Sequence, residues 1–482
     1  MKALALFLLL TTPLLSQIPA FPGAEGFGGH AQGGRGGDVY VVTNLNQDGA
    51  GSLKYGVDNA PSSGRTIVFA VSGYINIRNG RLRVVQNNIT IAGQTAPGDG
   101  IGLYDGTMRI TGNNCIVRNL RLRHGKGGGG GDCLNVDSSA HDSIIDHVSM
   151  QFSTDENISF FNSSLDNFTM QRSLSAWGLE SHNAGGLWDL EDGSCIDSLW
   201  AHHHTRNPKA RPYGLLEWVN NVTFDWGIGF IMGDSQTPAP WKANVIGSYF
   251  LSPPTYTDNY ALEKATVDRN GNPNFSLYLN DCLHDADGDN LIDGTDKGYA
   301  IVRGSEFSPG DPSGANRYVK AATPFPGASG NIAVSITAPR TAFKKVLSDA
   351  GAVRLSANYS GPLRDEVDTV LFNNVVNQIH SRISRESDLP VANNGFGTLN
   401  STAPPIDTDL DGMPDFWERA LGFSTITQNH NTAFGVGDGE GKSRTTGEVD
   451  SGGEGDRRAA LLNSAVGEIG NDEVRRSGEA RS

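Results

Sequence analysis

Short apolar and β-branched runs recur through the first half of the chain, each opened by a small polar residue. Asn88-Ile-Thr-Ile-Ala, Asn114-Cys-Ile-Val-Arg-Asn-Leu, Asp142-Ser-Ile-Ile-Asp-His-Val, Asn167-Phe-Thr-Met-Gln, Ser194-Cys-Ile-Asp-Ser-Leu and Asn221-Val-Thr-Phe-Asp-Trp begin about 25 to 28 residues apart, a period typical of stacked repeats. The runs are too short and too β-branched for helices. No helical pattern of ten or more residues lies between them, which argues against a βαβ arrangement. Short strands at a long fixed period predict coils that bury their inward residues against the next coil. Asn at a fixed place suits a turn that tolerates left-handed backbone angles. The expected class is therefore all-β, a right-handed parallel β-helix. A β-sandwich is the alternative, but its strands should recur every 8–12 residues.

The repeat blurs from Pro253 to about Asn400, where candidate coils such as Val370-Leu-Phe-Asn-Asn-Val are separated by long loops. We read residues 20–400 as the solenoid, with an acidic insertion at 285–296, a loop segment at 401–425 and a disordered tail at 426–482. The tail is rich in Gly, Glu, Arg and Ser, with few aromatics to bury. At the other end, Lys2 precedes an apolar run, Ala3 to Leu15, too short to span a bilayer and laid out like a secretory signal. Residues 1–19 are read as that signal, so the mature protein should be secreted, with no membrane partner.

Composition narrows the partners. A formal net charge of −15 makes nucleic acid an improbable ligand. It would also repel an acidic polymer unless cations or a local basic patch intervene. The four cysteines, Cys115, Cys133, Cys195 and Cys282, form no C-x-x-C pair, which argues against a zinc site and leaves room for one or two disulfides.

Within this acidic chain, His202-His-His-Thr-Arg206-Asn-Pro208-Lys-Ala-Arg211 packs Arg206, Lys209 and Arg211 into six residues. Guanidinium groups offer paired donors that suit carboxylates, although a solvated basic loop would have the same composition. On a regular strand His202 and His204 would share a face, with His203 on the other.

Arg206-x-Pro208-x-x-Arg211 resembles the R-x-P-x-x-R motif of family 1 pectate lyases. Phe21-Pro-Gly-Ala-Glu-Gly-Phe-Gly and Arg35-Gly-Gly-Asp38-Val-Tyr-Val-Val-Thr43 look like the opening of secreted bacterial members. Ile145-Asp146-His147, Ser153-Thr-Asp155-Glu156-Asn157, Gly185-Gly-Leu-Trp188 and His203-His204 follow in the family's order, so the resemblance spans roughly residues 20–250. It implies calcium-assisted β-elimination of polygalacturonate or a related acidic plant-type polysaccharide by a monomeric enzyme. A base takes the C5 proton beside the uronate carboxylate, and the glycosidic oxygen at C4 leaves. The resemblance makes Arg206 the base, with cations around it disfavouring its charge, and has Arg211 orient the substrate carboxylate. Lys209 and His204 would contact substrate, His204 being the second choice of base. Asp132, Asp155 and Glu156 match the family's Ca²⁺ ligands. Gly130 and Ser159 stand where other members carry acids, and no counterpart of the family's catalytic lysine is evident near Trp177-Gly178.

Two further loops carry alternating acids. Asp407, Asp409, Asp411, Asp415 and Glu418, with Gly412 at the sixth place, follow the twelve-residue EF-hand pattern. Asp285, Asp287, Asp289, Asp293 and Asp296 follow it with Asn290 in the glycine's place. Both resemble dockerin-type and thrombospondin type 3 calcium loops, and both are expected to hold structural Ca²⁺, since hard cations prefer oxygen.

Two other functions compete with the lyase reading. A β-helix glycoside hydrolase needs two carboxylic groups flanking the bond, and a non-catalytic carbohydrate-binding β-helix needs no converging arginines and acids.

Overall fold

The computed structural model describes residues 18–78, 82–233, 239–253, 260–264, 275–303, 305–306, 317–327, 331–353 and 363–431, with two further short strands at 433–434 and 444–445. Residues 1–17, within the stretch expected to be a signal, and most of the tail expected at 426–482 fall outside them.

The chain winds through three sheets of twelve, nine and ten strands, and the central coils each give one strand to each sheet. Neighbouring strands come from successive coils and run parallel, apart from the antiparallel Thr295–Asp296 piece at one end. This is the parallel β-helix the repeat predicts. The interior is a continuous apolar stack in which Ile91, Val117, Ile145, Met170, Cys195, Trp218, Val245 and Leu279 follow one another along the twelve-stranded sheet.

The corners explain the polar residues between the runs. Asn88, Asn114, Asp142 and Asn167 open their strands at φ between 53° and 61°. Their side chains are stacked in pairs, Asn114 Nδ2 on Asn88 Oδ1 and Asn167 Nδ2 on Asp142 Oδ1. A second line of left-handed corners runs through Asn119, His147, Arg172, Asp197 and Asn220. Asn and Asp tolerate this conformation because short polar side chains bond locally. The four cysteines are buried and free, so the fold rests on packing without disulfides.

Two corrections concern the second half. The last paired strand of the coils is Arg317–Lys320, short of the expected limit at 400. Val370-Leu-Phe-Asn-Asn-Val, read as a candidate coil, lies inside the helix Glu366–Val376. Its buried residues Val367, Leu371 and Val375 fall at helical spacing, and Asp365 caps it by accepting from the Asp368 N–H at 2.9 Å. This helix and Pro339–Asp349 cover the outer face of the ten-stranded sheet. Phe343, Val346, Leu371 and Val375 pack there on Leu174, Leu199, Val222 and Tyr249. The sheet is thus apolar on both sides, which is why its strands do not alternate cleanly. Asp365 also receives the buried guanidiniums of Arg121 (2.5 Å) and Arg123 (2.7 Å), locking the helix to the strand Leu120–Arg123.

Residues 20–34 run across the outer face of the twelve-stranded sheet. Backbone N–H groups of Gly34, Gln32, Gly28 and Phe27 donate to Thr90, Asn114, Thr169 and Ser194, one from each of four coils.

Five strands of the nine-stranded sheet carry the site: β1 (Leu134–Val136), β2 (Glu156–Phe161), β3 (Ala184–Asp189), β4 (Lys209–Ala210) and β5 (Phe230–Met232).

Candidate active site

Strand register brings distant residues into rows. Asn135, Ser159, Leu187, Lys209 and Ile231 are consecutive partners across β1 to β5. Val136, Phe160, Trp188, Ala210 and Met232 form the next row and fill the interior. Lys209 therefore stands on the outward row, half-buried. Arg211 follows the inward Ala210 and is half-buried beside Asp189, with Nη2 3.3 Å from Asp189 Oδ2.

Arg206 precedes β4 in a loop stitched to β3. Gly185 and Gly186 donate their N–H groups to the Thr205 and Arg206 carbonyls at 3.1 and 2.8 Å. Any Cβ on Gly185 would meet the Arg206 carbonyl at 2.5 Å, so glycine lets the loop lie this close. Arg206 has φ 59°, and its side chain forms an ion pair with the buried Glu156. Residues 50 positions apart in the sequence thus meet across β3, from the starts of β2 and β4.

Glu156 is also tied to β1. Its N–H donates to Asp132 Oδ1 at 3.0 Å, Asn135 Nδ2 donates to Asp132 Oδ2 at 3.1 Å, and the Ser159 hydroxyl lies 3.4 Å from Glu156 Oε2. The glycine-rich turn before β1 fixes the corner: the Gly131 carbonyl accepts from the Thr154 and Asp155 N–H groups. Asp155, Glu156 and His182 each offer a ligand atom within 4.8 Å of the others, and His182 Nδ1 lies 3.5 Å from Asp155 Oδ1. Adjacency does not separate the two acids onto opposite faces. Asn157 turns inward to the Ser175 hydroxyl and Ala176 carbonyl, which breaks the alternation at the start of β2.

The histidine run also departs from strict alternation, because His202 takes a corner conformation at φ 62°. His202 is buried, stacked on Trp177 at 5.2 Å between ring centres and bonded to Asp225 at 2.7 Å. His203 is buried too, against Ser175, Asn183 and the Gly178 N–H. Burial pushes its imidazole down to about 3, so it is neutral. His204 alone of the three is exposed, next to Arg206.

Asp189 and His182 escape a reading of the sequence alone. Asp189 directly follows Gly185-Gly-Leu-Trp188, and only the register sets it against Arg211. His182 reaches the acids from the turn leading into β3.

The acidic loops lie elsewhere. Asp285, Asp287 and Asp293 gather within 4.8 Å. Asp289 instead accepts from the Leu291 N–H and Asp296 from the Gly298 N–H, both capping turns. Asp407, Asp409 and Asp411 also gather. Asp415 turns away to the Thr408 N–H and hydroxyl, because it begins the helix Asp415–Leu421.

The parallel β-helix thus carries two arginines, a lysine and several carboxylates on one sheet. No family model matches the chain. It is 39% identical over 428 residues to a probable pectate lyase C of Aspergillus fumigatus, covering 86% of this chain and 90% of the relative. It is 38% identical over 418 residues to the probable pectate lyase C of Aspergillus flavus, covering 84% and 88%. These relatives are fungal, whereas the opening motifs resemble bacterial members. The cedar pollen allergen Jun a 1 superposes with a TM-score of 0.51 at 17% identity, over 68% of this chain and 93% of the allergen, a likeness of fold. The chain belongs to the pectate lyase family and is a polysaccharide lyase.

Proposed function

We propose that this protein is a secreted lyase that cleaves polygalacturonate or a related uronate polymer by calcium-assisted β-elimination. The observation that supports this most directly is the convergence of Arg206, Arg211, Lys209 and Glu156 on one outward stretch of β2 to β4. Arg211, braced by Asp189, presents a guanidinium fork to a uronate carboxylate. Lys209 adds a point charge along the polymer. Arg206 takes the C5 proton. The C5–H electron pair becomes the C4–C5 double bond, and the C4–O pair leaves on the glycosidic oxygen, which then takes a proton.

The donor set suits a hard cation. Asp132, Asp155 and Glu156 offer carboxylate oxygens, which Ca²⁺ prefers. Asp132 already accepts from two protein donors and His182 is a nitrogen, so the protein's own oxygens are few and a substrate carboxylate would complete the shell. Calcium bound there supplies the electron withdrawal from the uronate that acidifies C5. Glu156, once its charge is shared with a cation, holds Arg206 less firmly in the charged form, since a neighbouring anion favours the guanidinium and a neighbouring cation opposes it.

Incubation with polygalacturonate and calcium should generate the ultraviolet absorbance of an unsaturated uronide. Reducing ends without that chromophore would identify a hydrolase, and absence of both would identify a binding protein.

A further inference from the structure

A second group of anions sits against the first coils, away from the site sheet. Asp407, Asp409 and Asp411 alternate through a loop and place carboxylate oxygens within 4.8 Å of one another. Gly412 then turns the chain at φ 89° and donates its N–H to Asp407 Oδ2 at 2.9 Å. Acids in a loop are commonly just solvated. These oxygens are not. Glu418 is fully buried; its Oε1 accepts from Asn429 Nδ2 at 3.1 Å, while Oε2 is shut away from solvent without a hydrogen-bond partner. Asp407 Oδ1 and both oxygens of Asp409 are likewise secluded and unpartnered. Asn429 ties Glu418 to the aspartates, donating its Nδ2 to Glu418 Oε1 and its N–H to Asp411 Oδ2. Secluded carboxylate oxygens without donors are costly unless a cation fills the space between them. The donors are all oxygen, at places one, three, five and twelve of a twelve-residue loop, which selects calcium over softer metals.

The loop also holds chain ends together. Asp411 Oδ2 accepts from the N–H groups of Asn429 and His430, at 2.8 and 3.1 Å. The next residue, Asn431, bonds the first coil through the Gly36 N–H (3.2 Å) and the Gly37 carbonyl (2.8 Å). Gly412 itself lies over Val39 and Val68. Residues 401–406, which lead into the loop, are all exposed, so few contacts besides these anchor the segment.

We propose that Asp407, Asp409, Asp411 and Glu418 bind one Ca²⁺ that clamps residues 407–431 onto the amino-terminal coil, as a structural ion distinct from the catalytic one.

Native mass spectrometry of the full chain, titrated with calcium chloride, counts the ions. Asp409→Asn with Glu418→Gln should bind one fewer than wild type while retaining turnover on polygalacturonate at saturating calcium. A second measurement needs no variant. Tryptic cleavage after the exposed Arg419 requires local opening, and binding suppresses opening by the factor 1 + [Ca²⁺]/Kd. Cleavage of the wild type should therefore slow about 100-fold at one hundred times Kd. An unchanged ion count in the double variant, or cleavage after Arg419 at a calcium-independent rate, would overturn the proposal. Loss of turnover by a variant that still folds would overturn the separation of the two ions.

Discussion

Glu156 and Arg206 are paired across the intervening strand β3, two coils apart, the carboxylate from the first residue of β2 and the guanidinium from the loop before β4. The group proposed as the base is thus held by an anion that favours its keeping a proton. Arg206→Ala should lower kcat by about 10²–10⁴-fold, the usual contribution of a positioned base, and Arg206→Lys should not restore it, although lysine can keep the ion pair. Unchanged far-ultraviolet circular dichroism would confirm intact coils. Retention of more than a tenth of wild-type kcat would rule out the base role.

Calcium should act through substrate. Chelation should abolish turnover, and re-addition should restore it. Asp155→Ala with Glu156→Ala should raise the calcium concentration needed for half-maximal rate and leave the melting temperature nearly unchanged. A variant with wild-type calcium dependence would show that these acids hold no catalytic ion.

Arg211 rests on Asp189, its Nη2 3.3 Å from Asp189 Oδ2. Arg211→Lys keeps the charge but loses the fork, and should cost about 1.5–3 kcal/mol, roughly ten- to a hundredfold in kcat/KM. Asp189→Asn should lower kcat/KM in the same direction by loosening the fork. Initial-rate measurements across polygalacturonate concentrations check both.

The helix Pro339–Asp349 is tied to the coils by His147, whose ring nitrogens meet Asp146 at 2.7 Å and Asp349 at 3.2 Å. Burial pushes the imidazole down, but the carboxylates of Asp146 and Asp349 outweigh it and hold the group up at about 9. A folded value above the ordinary 6.5 stabilises the protein fully below about pH 6.5, and the benefit fades as pH rises through about 9. It amounts to about 3 kcal/mol at most. Denaturant unfolding should show that loss between pH 7 and 10 in wild type, and His147→Gln should flatten this part of the profile.

Asp365 sits between two buried arginines. Asp365→Ala should destabilise by about 3–5 kcal/mol, because Arg121 loses its counter-charge out of reach of water and Arg123 keeps only Asp368, at 3.4 Å. Equilibrium unfolding in guanidinium chloride checks it, with a change under 1 kcal/mol as the contrary result.

The solenoid was legible because each coil must bury an apolar row and turn a polar corner, so Ile91, Val117 and Ile145 and the corners Asn88 and Asn114 recur at one period. The helices over the ten-stranded sheet were not, because Val370 to Val375 is as apolar as a strand; only Asp365 as a cap and the four-residue spacing of Val367, Leu371 and Val375 distinguish it. At the site, the arginines were visible as a cluster in one short segment. Their partners were not, because Glu156 and Asp189 reach Arg206 and Arg211 through inter-coil register, which local sequence does not encode. Asp415 fits the loop pattern yet serves the following helix, a conflict decided by its place at the helix start.

The strap of residues 20–34 has a consequence for the order of assembly. It docks on Thr90, Asn114, Thr169 and Ser194, and its Gly26 N–H reaches the Ile332 carbonyl. None of those acceptors is in place until their coils have wound. A stretch synthesised before every coil is therefore among the last to settle. Until then the outer face of the twelve-stranded sheet stands open, and anything that binds it during folding would compete with the strap.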